Sequence, residues 1–189
     1  MEEQTPSQTV GPFFAIGLIS GQENVLVNDQ TAGERILIEG TVLDGDGQPI
    51  SDAMVEIWQA DAQGVFNHEL DPNCEEADKN FRGFGRARTD DRGRYEFKTI
   101  KPGPVRHPDG QYQARHINVR VFARGMLTHA TTRMYFSDDG TNSSDPVLLT
   151  VQEGRRSTLI GERIETEDLP AYHFDIHLQG DRETVFFDP

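Results

Sequence analysis

The stretch RHINVRVFARG, Arg115 to Gly125, alternates along its whole length. In an extended strand, successive side chains point to opposite faces. Ile117, Val119, Val121 and Ala123 then share one face, and His116, Asn118, Arg120, Phe122 and Arg124 share the other. The first set is an apolar stripe suited to a core. The second is polar apart from Phe122 and carries two arginines. Such a face has two readings, a solvated sheet surface or the wall of a pocket that presents arginine to an anion. Arginine suits the second because its planar fork can hold a carboxylate through two hydrogen bonds.

Working outward, the same grammar recurs. RILIEGTVLD (35–44) alternates and runs into the turn cluster DGDGQP (44–49). AMVEIWQAD (53–61) sets Ala53, Val55 and Ile57 against Met54, Glu56 and Trp58. GRARTDDRGRYEFKTI (85–100) reads as a hairpin turning at Asp90-Asp91-Arg92-Gly93. KPGPV (101–105) is a break, and AYHFDIHLQG (171–180) alternates again. The segment 146–164 has room for a short helix or turn, and Gln63 to Arg82 reads as a long polar loop. Many short strands between Gly- and Pro-rich turns predict an all-β chain, an antiparallel β-sandwich of the prealbumin-like kind with long loops and little helix. The expected organisation is an N-terminal arm over 1-30 and one sandwich domain over 31-189.

The chain has 189 residues, enough to bury a core without metal or disulfide support, and a formal net charge of −14. Nucleic acid and anionic membranes are excluded as partners by repulsion. A small anionic ligand would need a local arginine. Cys74 is the only cysteine, which rules out an internal disulfide and fits a reducing compartment. The apolar run Phe13 to Ile19 is far shorter than the roughly 20 residues of a membrane span, and a cytoplasmic location is expected.

Two places invite a metal reading. His116 is followed at i+2 by Asn118, and an amide is a weak companion to a lone imidazole. His173, Asp175 and His177 share one face, but their histidines lie roughly 13 Å apart on a straight strand. They are read as an exposed polar face. His68, His107 and His129 fall in polar loops and are read as solvated. No phosphate-binding loop, nucleophile elbow or zinc-protease motif occurs.

Several segments together resemble the intradiol ring-cleavage dioxygenases. They are TPSQTVGPFF (5–14), VEIWQAD (55–61), TIKPGPV (99–105), RHINVRVFARG, TRMYF (132–136), FDIHLQG (174–180) and ETVFFD (183–188). The resemblance covers nearly the whole chain in order. It implies catalytic chains that hold ferric iron with two tyrosines and two histidines, since hard Fe(III) suits phenolate oxygen. Here Val105 stands where one tyrosine closes the KPGP motif, and Asn118 stands where the second histidine belongs. No tyrosine occurs between Gln59 and Arg94 to supply the other phenolate, and Tyr112 matches a position that is not a ligand. His116, Asn118 and Val105 thus form a relict site. The resemblance implies a chain without metal or catalytic residues of its own, paired with an iron-bearing beta chain in a higher-order assembly of alpha-beta pairs. It further implies that the complex cleaves 3,4-dihydroxybenzoate with O₂, that Thr9, Gly11 and Pro12 line the substrate entrance, and that Phe13 and Phe14 anchor the leader. Arg124 would favour the substrate's carboxylate. Two rivals remain at this level: a self-sufficient metalloenzyme built on His116, and a plain β-sandwich binding module.

Overall fold

A computed structural model describes residues 17–107, 109–166 and 168–188. Eleven strands follow in chain order: β1 (Arg35–Leu43), β2 (Met54–Trp58), β3 (Phe84–Arg88), β4 (Arg94–Ile100), β5 (Val105–Arg106), β6 (Tyr112–Gln113), β7 (His116–Phe122), β8 (Ala130–Phe136), β9 (Ile160–Ile164), β10 (Ala171–His173) and β11 (Ile176–His177). Short 3₁₀ turns occupy Cys74–Glu76, Gly140–Ser144, Leu148–Thr150 and Glu153–Leu159. The chain is mostly β with little helix, as expected.

The alternation translates directly into burial. Ile117, Val119 and Val121 of β7, with Ala123 just beyond it, are buried with Ile36, Ile38 and Val42 of β1 and Val55 and Ile57 of β2. They join Phe97, Ile100, Tyr172, Phe174 and Ile176 in one cluster, so both halves of the main sheet face a single core. That sheet runs β11-β1-β10-β9-β8-β7-β2-β3, with β4 paired to β1. Its sides nearly meet. Leu26 N–H donates to Lys98 O at 2.9 Å, and Arg86 N–H donates to Glu23 O at 3.0 Å, so residues 23–26 bridge β4 to β3. The C-terminal portion of the expected arm is thereby fastened to this chain's own sheet, with Leu26 in the core. Residues 1–16, including Thr9, Gly11, Pro12, Phe13 and Phe14, lie outside the described residues.

The sheet is not wholly antiparallel. β1 runs parallel to β10 and to β11, and β8 runs parallel to β9. The 3₁₀ segment between β8 and β9 carries the chain back so that β9 re-enters beside β8 in the same direction. β10 and β11 are one strand interrupted at Phe174 and Asp175. There Phe174 N–H donates to Glu39 O at 2.8 Å, and the Asp175 carboxylate accepts from Thr41 N–H at 2.8 Å. Gly40 permits the interruption, because a Cβ at that position would lie 1.9 Å from the Phe174 carbonyl oxygen.

A second cluster of Ala114, Tyr135, Leu148, Val151 and Leu159 covers one end of the sheet's outer face. Its polar centre is Asp145, fully buried, which accepts from Ala114 N–H, Tyr135 O–H, Val147 N–H and Leu148 N–H at 2.8, 2.9, 3.0 and 2.6 Å. Among the described residues no helix is long and apolar enough to cross a membrane.

Candidate functional site

The outer face of β2, β3, β7 and β8 forms the floor of a cleft of about 1140 Å³. Cross-strand register builds that floor in two rows. One row runs Phe84, Trp58, Asn118, and the next runs Arg86, Glu56, Arg120, Thr131. Directly opposed residues in antiparallel pairs project to the same side, so the polar face predicted for β7 and the Glu56–Trp58 face of β2 become one surface. The loop residues Gly64, Phe66, His68, Leu70 and Asp71 and the β5–β6 hairpin, with Val105 and Arg106, supply the remaining walls.

That loop is held by backbone chemistry. Asp61, nearly fully buried, accepts from Gln63 N–H and Val65 N–H at 2.9 and 3.0 Å and from Asp78 N–H at 2.9 Å. Its carbonyl also accepts from Gly103 N–H at 2.8 Å. Gly64 adopts φ +86°, and a Cβ there would meet the Pro104 carbonyl oxygen at 2.1 Å. Only glycine lets the loop approach the KPGP segment this closely. Lys101 secures that segment from the other side, reaching Asp138 at 2.8 Å and Tyr172 O–H at 2.9 Å. Burial works against the Lys101 charge, but these bonds prevail and raise its pKa above the ordinary value.

The cleft is aromatic and carries charges of both signs. Trp58 stacks on Phe66 at 5.5 Å and 16°, with Phe84 tilted at 6.5 Å and His68 edge-on at 6.1 Å. Arg86 pairs with Glu56 at 2.6 Å and lies 4.9 Å over the Phe84 ring. Asn118 Nδ2 donates to Trp58 O at 3.3 Å. Arg120 and Arg106 are exposed and make no ion pair among the described residues.

Of the residues singled out from the sequence, Val105, Asn118 and Arg120 meet in this cleft. His116 does not border it. Its ring is 3% exposed, donates from Nδ1 to Ala114 O at 2.8 Å and packs 5.9 Å from Tyr135. Burial, aided by the Arg133 guanidinium, lowers its pKa to about 4, so the imidazole is neutral near neutral pH. Arg124 is absent from the cleft wall. It is exposed and pairs with Asp52. His173 is half-exposed and lies 3.1 Å from Asp175, while burial lowers the His177 pKa. His129 packs on Phe122 at 5.3 Å with the rings tilted by 34°, and its Nε2 is buried without a hydrogen-bond partner among the described residues, so it is not the solvated residue expected. Trp58, Phe66, Phe84 and Arg106 were not singled out from the sequence as site residues. Alternation put Trp58 on one side of its strand, but Phe84 reaches it through the pairing of β2 with β3, and Phe66 through a loop whose path no local pattern encodes.

The residues present do not fit ferric iron. None of the four tyrosines borders the cleft. Tyr95 donates to Phe174 O, Tyr135 to Asp145, and Tyr172 is engaged by Lys101 and Asp138, while Tyr112 lies exposed on β6. Burial raises the phenol pKa of Tyr135, disfavouring a phenolate there. Among the described residues no group of three or more His, Cys, Asp or Glu side chains is arranged to hold a metal.

A family model described as "Dioxygenase" matches residues 10–180. The chain is 44% identical to the protocatechuate 3,4-dioxygenase alpha chain of Pseudomonas putida, covering 98% of this chain and 96% of that one. It is 37% identical to the protocatechuate 3,4-dioxygenase beta chain of Burkholderia cepacia, covering 84% of this chain and 70% of that one. The dioxygenase domain of a dioxygenase–carbohydrate-binding protein fusion from Streptomyces sp. SirexAA-E superposes with a TM-score of 0.64 at 25% identity, over 94% of this chain and 99% of that one. This chain belongs to the intradiol dioxygenase family.

Proposed function

We propose that this chain is the alpha, non-iron-binding subunit of a protocatechuate 3,4-dioxygenase. The complex cleaves 3,4-dihydroxybenzoate with O₂ to 3-carboxy-cis,cis-muconate, and this chain completes the substrate site of its beta partner. The observation that carries the reading is local. Val105 and Asn118, at the positions where the family uses tyrosine and histidine, both line one cleft that no tyrosine borders. The near-complete match to an alpha chain, closer than that to a beta chain, supports it. Fe(III) belongs in this reading to the beta chain. The assembly is a higher-order hetero-oligomer of alpha-beta pairs, located in the cytoplasm, with no nucleic acid or membrane partner.

In the same reading, residues 1-30 act as an arm at the partner interface, with Thr9, Gly11 and Pro12 at the substrate entrance. Residues 31-189 form the body, a prealbumin-like sandwich whose two halves face each other across the core. A leader stiffened by proline loses less conformational entropy on ordering. Arg124, exposed with Asp52 as its ion-pair partner, selects for the carboxylate of the substrate. Co-expression with a beta chain tests the pairing: the two chains co-purify and the complex consumes O₂ with 3,4-dihydroxybenzoate. Within that complex Arg124→Ala raises KM about tenfold. Unchanged KM and kcat would remove Arg124 from the site, and a beta chain fully active without this chain would overturn the subunit reading.

A further inference from the structure

We propose that the cleft over β2, β3, β7 and β8 is itself a metal-independent binding site for a small planar aromatic carboxylate. Its volume, about 1140 Å³, lies just above the roughly 300–1,000 Å³ usual for ligand clefts. Its floor carries the Trp58–Phe66 stack and the tilted Phe84 ring, surfaces on which another ring packs in offset or edge-to-face geometry.

Two guanidiniums without ion-pair partners among the described residues set the sign of the ligand. Arg86 is neutralised by Glu56. Asp71 is occupied by Phe66 N–H and Asn73 N–H at 2.9 and 2.8 Å. His107 is paired with Asp109 at 2.9 Å. Arg120 from the floor and Arg106 from the hairpin remain as cations with no ion-pair partner among the described residues, in a chain of net charge −14. A guanidinium without an ion-pair partner is free to grip a carboxylate through two parallel hydrogen bonds. Beside Arg120 on the next strand, Thr131 Oγ1 is buried with no hydrogen-bond partner among the described residues. It offers a carboxylate oxygen a further donor.

The inference does not depend on pairing with a beta chain, and its test uses the full chain alone. Trp58 is the only tryptophan, so intrinsic fluorescence reports from the cleft floor. The metal-free chain is titrated with benzoate and with benzamide, its neutral analogue, and calorimetry on the same samples reads binding independently. Benzoate gives a saturable response, and benzamide binds about tenfold or more weakly. Arg120→Ala lowers benzoate affinity by about tenfold and leaves benzamide unchanged, and Arg106→Ala acts in the same direction. Arg92→Ala, on the distant 90–93 turn, changes neither. The melting temperature of each variant shows that it is folded. No saturable response to benzoate, equal affinity for the two ligands, or benzoate binding indifferent to both Arg120→Ala and Arg106→Ala would each overturn the proposal.

Discussion

The two ends of β7 share one face and meet different fates. At its start, His116 is buried, bonded to Ala114 O and packed on Tyr135 beneath the 3₁₀ segment that brings in Leu148, Val151 and Leu159. Four residues on, Arg120 points from the same face into an open cleft without an ion-pair partner among the described residues. Alternation determines which side of a strand a residue faces. What lies over that side decides whether a polar group is locked into the fold or left available to a ligand. The three residues that the family resemblance groups divide along this line, with His116 absorbed into structure and Asn118 and Val105 lining the cleft.

The contrast can be broken most forcefully at the covered end. Asp145→Ala removes the acceptor for four donors in a site without solvent, and it should cost about 3–5 kcal/mol. Urea unfolding measures it, and a loss below about 1 kcal/mol would show that the covered end is not held by this node.

The next effect is a pH dependence. Folded His116 has its pKa depressed from 6.5 to about 4, so the folded state disfavours the protonated ring. Its contribution is fully present above pH 6.5 and is lost as pH falls towards 4, by about 3 kcal/mol in all. Carboxylates also respond in this range, so the readout is the difference between the wild type and His116→Gln. That difference should shrink between pH 7 and 4.5, and a constant difference would contradict the burial-driven shift.

At the open end the expected effects on stability are small. Arg120→Ala and Arg124→Ala should each leave unfolding within about 0.5 kcal/mol of the wild type, since one side chain lacks an ion pair and the other joins a solvent-exposed pair. A loss above about 1.5 kcal/mol at Arg120 would mean that it belongs to the structural end after all.

Much of this was legible in the sequence. The core stripe of β7, the 85–100 hairpin and the strand-rich character follow from period-two alternation and turn residues, which are local signals. Parallel pairing of β8 with β9 and of β1 with β10 and β11 was not legible, because parallel partners are joined by long connections that leave no turn signature. Val105 and Asn118 stood out through the family resemblance, and Arg120 through alternation. Trp58 and Phe84 are cross-strand partners of β2 and β3, but Phe66 reaches them because Gly64 and Gly103 let its loop close onto the KPGP segment, and that is a tertiary event. Arg124 continues the β7 alternation, but it lies beyond the last paired residue, where the chain turns at Gly125 and takes it away from the cleft.

The account rests on this chain being unable to hold ferric iron with its own side chains. Metal analysis of the chain expressed alone, compared with the chain co-expressed with a beta partner, tests this most directly. The predicted outcome is an isolated chain that is colourless, without stoichiometric iron and inert towards catechols, beside a complex that is iron-loaded and active. An isolated chain that arrives coloured, with one iron per polypeptide and able to open a catechol ring, would contradict it.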